Sequence, residues 1–251
     1  MNKKSNIKKT LIFILALVIY GCFFYFVSTR QSGRALDFSP YRTYSTVILN
    51  GWIRTLYISL LSMVFALVVG LILYLMTESR FRLLHDLAVI HKNIIYGTPL
   101  LVIAIVSYYI IANAFGIRSK VLVGILTLAL YIGTYVSDIY KGSIESIHMN
   151  QWQTAKMFGF SKYQTYRYVV LPQVVITALP PLAGQLALTI KGSALLAYMA
   201  TPEYFNEVNN ILATTYRYME GYLLMAAGYL LITIPLIRLV RYLEVKLNYT
   251  L

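Results

Sequence analysis

Acidic residues are scarce in this chain: only 9 Asp and Glu stand against 22 Lys and Arg in 251 residues, and charged residues of both signs make up 12%. A soluble domain carries about a quarter charged residues. With 59% hydrophobic residues, the chain is too apolar for a soluble fold of this length, and it reads as a polytopic helical membrane protein. Cysteine is almost absent. Cys22 alone, inside an apolar run, excludes a disulfide framework and a Cys-rich metal site. The 3 histidines, His85, His91 and His148, form no ligand spacing, so neither a metal site nor a catalytic residue is assigned. The net charge of +13 raises the question of nucleic acid. Yet the basic residues gather at the ends of apolar runs, as the positive-inside rule requires, and nucleic acid is not among the expected partners.

Long apolar runs are what the chain has in quantity. Lys3, Lys4, Lys8 and Lys9 precede a run over 11–27, read as a retained span rather than a cleaved signal because it is long and lacks a small-x-small site. Its amino end is expected to be cytoplasmic. An outer linker over 28–45 with Arg30, Arg34, Pro40 and Arg42 follows, then a second span over 53–76. Leu83, Leu84, Leu87, Ile94 and Ile95 trace one face of an interfacial helix, with His85, Asp86 and Lys92 opposite. Gly97 and Pro99 break the helix before an apolar run that reaches Ala112, and 121–140 is the next span. Near its end Asp138 and Lys141, three apart, are placed to pair on one helix face. Lys191 lies in an apolar stretch, where an ionisable side chain should face a cavity or a partner. It meets either a substrate carboxylate, or Asp138 or a backbone carbonyl. The acids of 201–221, among them Glu203, Glu207 and Glu220, are expected outside, and 222–240 forms the last span with Arg238, Arg241 and Lys246 at its inner end. Both termini are then cytoplasmic.

One long polar segment interrupts this pattern: 150–172, NQWQTAKMFGFSKYQTYRYVVLP. Trp152 and Ala155 share a helical face, Gly159 ends that helix, and Ser161 starts a second run that Pro172 closes. Two short helices and a corner are expected. Lys156, Lys162 and Arg167 make the segment basic and place it on the cytoplasmic side.

The segment resembles the coupling loop of ABC importer permeases, Glu-Ala-Ala, three residues, Gly, then Ile-x-Leu-Pro. Gln153, Thr154 and Ala155 fall on the first three positions, Gly159 on the glycine, Val169 on the isoleucine, and Leu171 and Pro172 on the closing pair. Gln153, a neutral amide, stands where the family carries a glutamate. Other stretches are similar to the polar amino acid branch of that family. They are Gly51-x-x-x-Thr55-Leu56, the 97–102 run GTPLLV, the 137–144 run SDIYKGSI, the 179–185 run LPPLAGQ, and Lys191-Gly192-Ser193 where Lys-Asp-Thr is usual.

The resemblance implies an all-α permease of the type I importer fold with about six spans. Residues 1–45 would hold the cytoplasmic amino end, an extra helix and an outer linker. Residues 46–251 would hold a core of about five helices, with the coupling loop at about 142–172. No Gly-x-x-x-x-Gly-Lys-Ser/Thr sequence occurs. The resemblance therefore implies ATP and Mg on partner ATPase subunits and no cofactor on this chain. It also implies a second permease subunit, identical or related, an extracytoplasmic binding protein, and a multi-pass place in the plasma membrane lipid. Gln185, Thr189, Lys191 and Ser193 are the substrate-path candidates. A secondary transporter or channel driven by an ion gradient is the alternative, and a membrane enzyme a third. The first lacks mid-span acids and the second a catalytic cluster.

Overall fold

A computed structural model describes residues 3–248; residues 1–2 and 249–251, which include both chain ends, lie outside it. The chain folds into helices alone among the described residues. α1 (Lys3–Ser32) contains the apolar run 11–27 as one unbroken helix, and its described side chains from Leu15 to Val27 are exposed. A linker and the short α2 (Ser39–Thr43) lead to α3 (Ser45–Thr77). α4 (Arg82–Gly97) is followed by α5 (Leu100–Ile105), which runs on as π-helical turns over Val106–Ala112. α6 (Lys120–Glu145) precedes the short helices α7 (Met149–Met157) and α8 (Lys162–Thr165). A π-turn at Tyr166–Val170 joins α8 to α9 (Leu171–Gly192), which ends in a 3-10 segment, Ser193–Met199. α10 (Tyr204–Thr215) and α11 (Tyr218–Asn248) complete the chain.

Among the described residues, four stretches are long and apolar enough to cross a membrane: Ser45–Thr77, Lys120–Glu145, Lys162–Met199 and Tyr218–Lys246. α4 and the following run to Ala112 would add a fifth as a pair bent by 114°. The bend has a local cause. Pro99 pushes Thr98 to extended backbone (φ −124°, ψ 128°), so α4 stops at Gly97 and a new helix starts at Leu100.

α3 shows how a helix packs when lipid is its other neighbour. Thr55, Ser59, Ser62, Ala66 and Gly70, at three- and four-residue steps, are buried, whereas Leu60, Val64, Val68, Leu71 and Leu75 are exposed. Large apolar side chains gain nothing from leaving hydrocarbon, so the small residues face protein. The partner is α6. A Cβ on Gly70 would lie 2.6 Å from Val136 Cγ1, and one on Gly133 would lie 2.6 Å from Val69 Cγ1, so each glycine receives a valine from the opposite helix. Around this seam Ile58, Ala104, Ile125, Leu128, Leu196 and Met199 bind α3, α5, α6 and the 3-10 segment into one core.

Two expectations are corrected. Asp138 does not pair with Lys141. It faces Lys92 and the Tyr96 hydroxyl on α4, while Lys141 reaches Glu78 at 3.3 Å and Glu145 at 3.9 Å. Three residues along a helix bring two side chains near, but α4 packs beside α6 and offers Asp138 a cation and a hydroxyl together. Pro172 does not end a helix either. The π-turn before it gives Leu171 N–H a partner five residues back, Tyr166 C=O, and the widened turn accommodates the proline in the first turn of α9.

Gly70→Ala is expected to overpack the seam and cost about 1–3 kcal/mol, read as a lower melting temperature in detergent. Val136→Ala in the same chain should restore most of the loss. A Gly70→Ala protein that melts like the parent would show that α3 and α6 are not this close.

Candidate functional site

The polar corner is built from backbone outward. α7 ends in a Schellman motif: Phe160 N–H donates to Ala155 C=O and Gly159 N–H to Lys156 C=O, both at 3.0 Å, with Gly159 at φ +75°. That conformation is the reason glycine stands there. Ser161 then caps α8 in a reciprocal box. Its hydroxyl accepts from Gln164 N–H at 3.3 Å, and its own N–H donates to Gln164 Oε1 at 2.8 Å.

The corner is fastened to the membrane helices by its aromatic face. Trp152 meets Tyr166 edge-on at 5.4 Å and packs on the cluster of Ile147, Val170 and Val174. Gln173 Nε2 holds Val169 C=O at 2.8 Å and also reaches Gln151 Oε1. What faces outward is large and apolar: Met157, Phe158 and Tyr163 are 87%, 77% and 76% exposed. Between α7 and the start of α9 lies an open groove of about 360 Å³, lined by Thr154, Ala155, Phe158, Phe160 and Val169 among others. Of the sequence candidates, Thr154 and Ala155 line it. Gln153 is exposed away from it, Gly159 forms the corner, and Leu171 and Pro172 are exposed on α9.

At the other end of α9 the structure separates the substrate-path candidates. Lys191 is exposed and lines a pocket of about 280 Å³ with Ala194, Phe205, Met225, Ala226 and Tyr229. Thr189 is buried and donates to Gln185 C=O at 2.8 Å, and Ser193 is buried and donates to Ile190 C=O at 2.9 Å. Gln185 is half-buried and does not line that pocket. Lys191 does not pair with Asp138, whose carboxylate is held by Lys92 and Tyr96 of α4. Where the family carries an aspartate, a Cβ on Gly192 would lie 3.1 Å from Leu100 Cδ2. The position beside Lys191 is thus closed by a leucine of α5. Of the helix-break candidates, Gly97 ends α4 and Pro99 precedes α5.

Sequence reasoning missed the acid beneath this pocket. Glu203 was expected outside, yet it is fully buried. Its carboxylate accepts from the hydroxyls of Thr55 and Tyr229, each at 3.1 Å, and from the N–H groups of Phe205 (3.0 Å) and Asn206 (2.8 Å). Burial raises its pKa, and these four donors oppose the rise. Its place directly before the periodic apolar positions Tyr204, Val208, Ile211 and Leu212 marked it as a helix cap. Glu220 is likewise buried, beside Arg34 and Arg217, and accepts from Asp37 N–H at 2.9 Å. Both acids hold the fold together from inside and do not present a charged outer face.

An all-α bundle of apolar helices, with a capped basic corner at one end of α9 and a pocket carrying an exposed lysine at the other, has the architecture of a transport permease. The chain belongs to the family described as binding-protein-dependent transport system inner membrane component, whose pattern matches residues 66–249. It is 33% identical over 198 residues to the probable amino-acid ABC transporter permease protein YckA of Bacillus subtilis, covering 78% of this chain and 84% of that one. It is 29% identical over 204 residues to the glutamine transport system permease protein GlnP of Escherichia coli, covering 80% and 93%. In structure it resembles an amino acid ABC transporter crystallised with histidines, at TM-score 0.78, 27% identity, 84% of this chain and 99% of that one. The methionine transporter MetNI in an inward-facing form, at TM-score 0.61 and 16% identity, covering 80% and 98%, shares the fold. The fold is that of the type I ABC importer permease, as the sequence motifs implied.

Glu203→Ala should leave the hydroxyls of Thr55 and Tyr229 and two N–H groups without their acceptor. Each buried orphan costs about 1–3 kcal/mol, so a steep loss of thermal stability is expected, smaller for Glu203→Gln. Equal stability of Glu203→Ala and the parent would remove the acid from the core.

Proposed function

We propose that this chain is the membrane-spanning permease subunit of an ATP-driven importer of amino acids, and that its 150–172 corner docks the ATPase. The observation that carries this reading is the corner itself. A left-handed glycine, a Schellman stop and a capping box fix two helices at an angle, with Met157 and Phe158 bare beside a groove that fits a protrusion or receives one. Exposed large apolar side chains on a polar, cytoplasmic segment serve contact with protein. The amino-acid names of the relatives support the substrate class.

ATP and Mg would be held by the partner ATPase subunits, a second permease subunit would complete the path, and an extracytoplasmic binding protein would deliver the substrate. Both termini would be cytoplasmic in the plasma membrane. ATPase closure would move the corner and shift the helices between two states of the path. Lys191 would meet the substrate carboxylate, and since Glu203 is saturated by its four donors, no free acid balances a cationic side chain near this pocket among the described residues. A neutral or acidic amino acid is therefore expected. The ion-coupled alternative needs a titratable acid in the path, and Asp138 and Glu203 are both engaged by other side chains.

The ATPase should follow this chain through detergent purification, and transport that persists without any ATPase would overturn the proposal. Gly159→Asp should still fold, because nothing lies within 4 Å of a Cβ there, at the cost of holding a side chain in the left-handed region, which aspartate visits more readily than most residues. It should nonetheless uncouple ATP hydrolysis from uptake by placing an acid on the docking corner. Normal uptake by that variant would mean that the corner is not the contact.

Lys191→Ala should weaken uptake and leave ATPase assembly intact. A lost charge-assisted hydrogen bond of about 1.5–3 kcal/mol corresponds to at least about tenfold. In competition uptake, arginine or lysine inhibiting more strongly than glutamine or glutamate would reject the assigned substrate charge.

A further inference from the structure

Between the start of α3 and the first half of α11 lies a groove of about 550 Å³ that no part of the transport reading uses. Its floor is Tyr204, whose hydroxyl donates to Leu224 C=O at 2.5 Å, and its wall holds Trp52, whose indole N–H donates to Gly228 C=O at 3.0 Å. The polar atoms of both aromatics are thus turned into the protein. What lines the opening is Ile48, Leu49, Leu224, Ala227 and Leu231, on two helices apolar enough to span a membrane. Hydrocarbon is the medium such a groove faces.

The polar groups of the lining lie at one end. Where α3 begins, Ser45 and Arg42 stand beside Phe38 and Tyr41. Arg42 is exposed and, among the described residues, its guanidinium has no carboxylate opposite it. The neighbouring arginines are different: Arg54 faces Glu207 at 3.7 Å, Arg217 faces Asp37 at 3.1 Å, and Arg34 lies 4.0 Å from Glu220. An exposed arginine with no carboxylate opposite it therefore sits just before the start of a helix long and apolar enough to span a membrane, at the polar end of an apolar slot.

We propose that this groove is a site for an anionic phospholipid, one acyl chain lying along Ile48, Leu49 and Leu231 and the phosphate on Arg42. The match is one of charge and polarity together. Guanidinium and phosphate make paired, short hydrogen bonds, and the apolar walls accept a chain that water would reject. A helix from a second copy would have to supply an acid for Arg42, and acids are scarce in this chain, 9 Asp and Glu against 22 Lys and Arg.

The test uses the chain purified with its ATPase in mild detergent and titrated with phosphatidylglycerol under native mass spectrometry. One strongly retained phosphatidylglycerol per copy is expected, with phosphatidylcholine held more weakly. Arg42→Gln should weaken phosphatidylglycerol about fivefold, the factor corresponding to about 1 kcal/mol for one basic residue at an anionic surface, and should abolish the preference over phosphatidylcholine. Ala227→Trp, which fills the slot, should prevent retention of both lipids. Leu49→Trp, on an exposed wall residue, serves the same purpose if that variant does not fold. Equal retention by the parent and the filled variants would overturn the proposal. So would an intermolecular disulfide between Leu49→Cys copies in native membranes, because a second copy would then occupy the groove.

Discussion

Absence of water on the outer side of the helices is the constraint from which the packing follows. In lipid, burying a leucine yields no transfer energy, so helices associate where backbones can approach and where polar groups find each other. α3 and α6 satisfy the first condition by exchanging valines for glycines. Val136 enters the space at Gly70 and Val69 the space at Gly133. The close approach leaves the large side chains of α3 on the lipid side and gives α9, α10 and α5 a two-helix platform to pack upon. Polar ties then fix what the platform alone cannot. Glu203 joins α3, α10 and α11 through Thr55 and Tyr229, and Glu220 holds the linker between α1 and α2 against the start of α11. Glu203 is surrounded by four donors, the condition under which burying a carboxylate is tolerated, whereas Glu220 takes one amide and the charges of Arg34 and Arg217 on a single oxygen.

The amino-terminal helix follows the same logic. The structural relative crystallised with histidines is covered to 99% by 84% of this chain. α1 exposes its described apolar side chains and is held to the core through its outer linker, where Arg34, Asp37 and Tyr41 meet Arg217, Glu220 and the cluster around Tyr204. Such a helix needs polar contacts only at its linker, because lipid is an adequate neighbour for its apolar remainder.

How much was legible in the sequence depended on which force set each feature. Spans are set by hydropathy, and the runs at 53–76, 121–140 and 222–240 lie within helices that can cross a membrane. Local backbone signals were equally readable: Gly159 ends α7, Ser161 caps α8, and Pro99 separates α4 from α5. Features that require knowing which helices are neighbours were misread. Asp138 and Lys141 looked like partners because spacing along one helix is visible in sequence, whereas the approach of Lys92 and Tyr96 from α4 is not. Glu203 and Glu220 were expected outside because an acid between spans is usually solvated; the cap position of Glu203 announces the amides of α10, but nothing local announces Tyr229 of α11. The site candidates divide likewise. Lys191 was found by its cost in an apolar run and is exposed in a pocket, while Thr189 and Ser193, chosen for nearness in sequence, bond to their own helix.

The misread proline has the largest mechanical consequence. Had Pro172 ended a helix, the corner would be a loop joined to the membrane by a flexible link, and displacement there would be absorbed. Instead the ladder widens for one turn and continues, so that Lys162–Met199 forms a continuous helical stretch from the corner to the segment beyond Lys191. Between Lys162 and Lys191 that stretch spans about 40 Å at the rise of an α-helix. Pro180 and Pro181 lie within it and deprive it of two N–H groups, giving it a defined place to bend. In the proposed reading, a push on α7 passes through Trp152 and Tyr166 into this rod, and the pocket end responds as a lever about the proline pair. In that reading no further relay of side chains is required between Tyr166 and Lys191, because one helical stretch carries both.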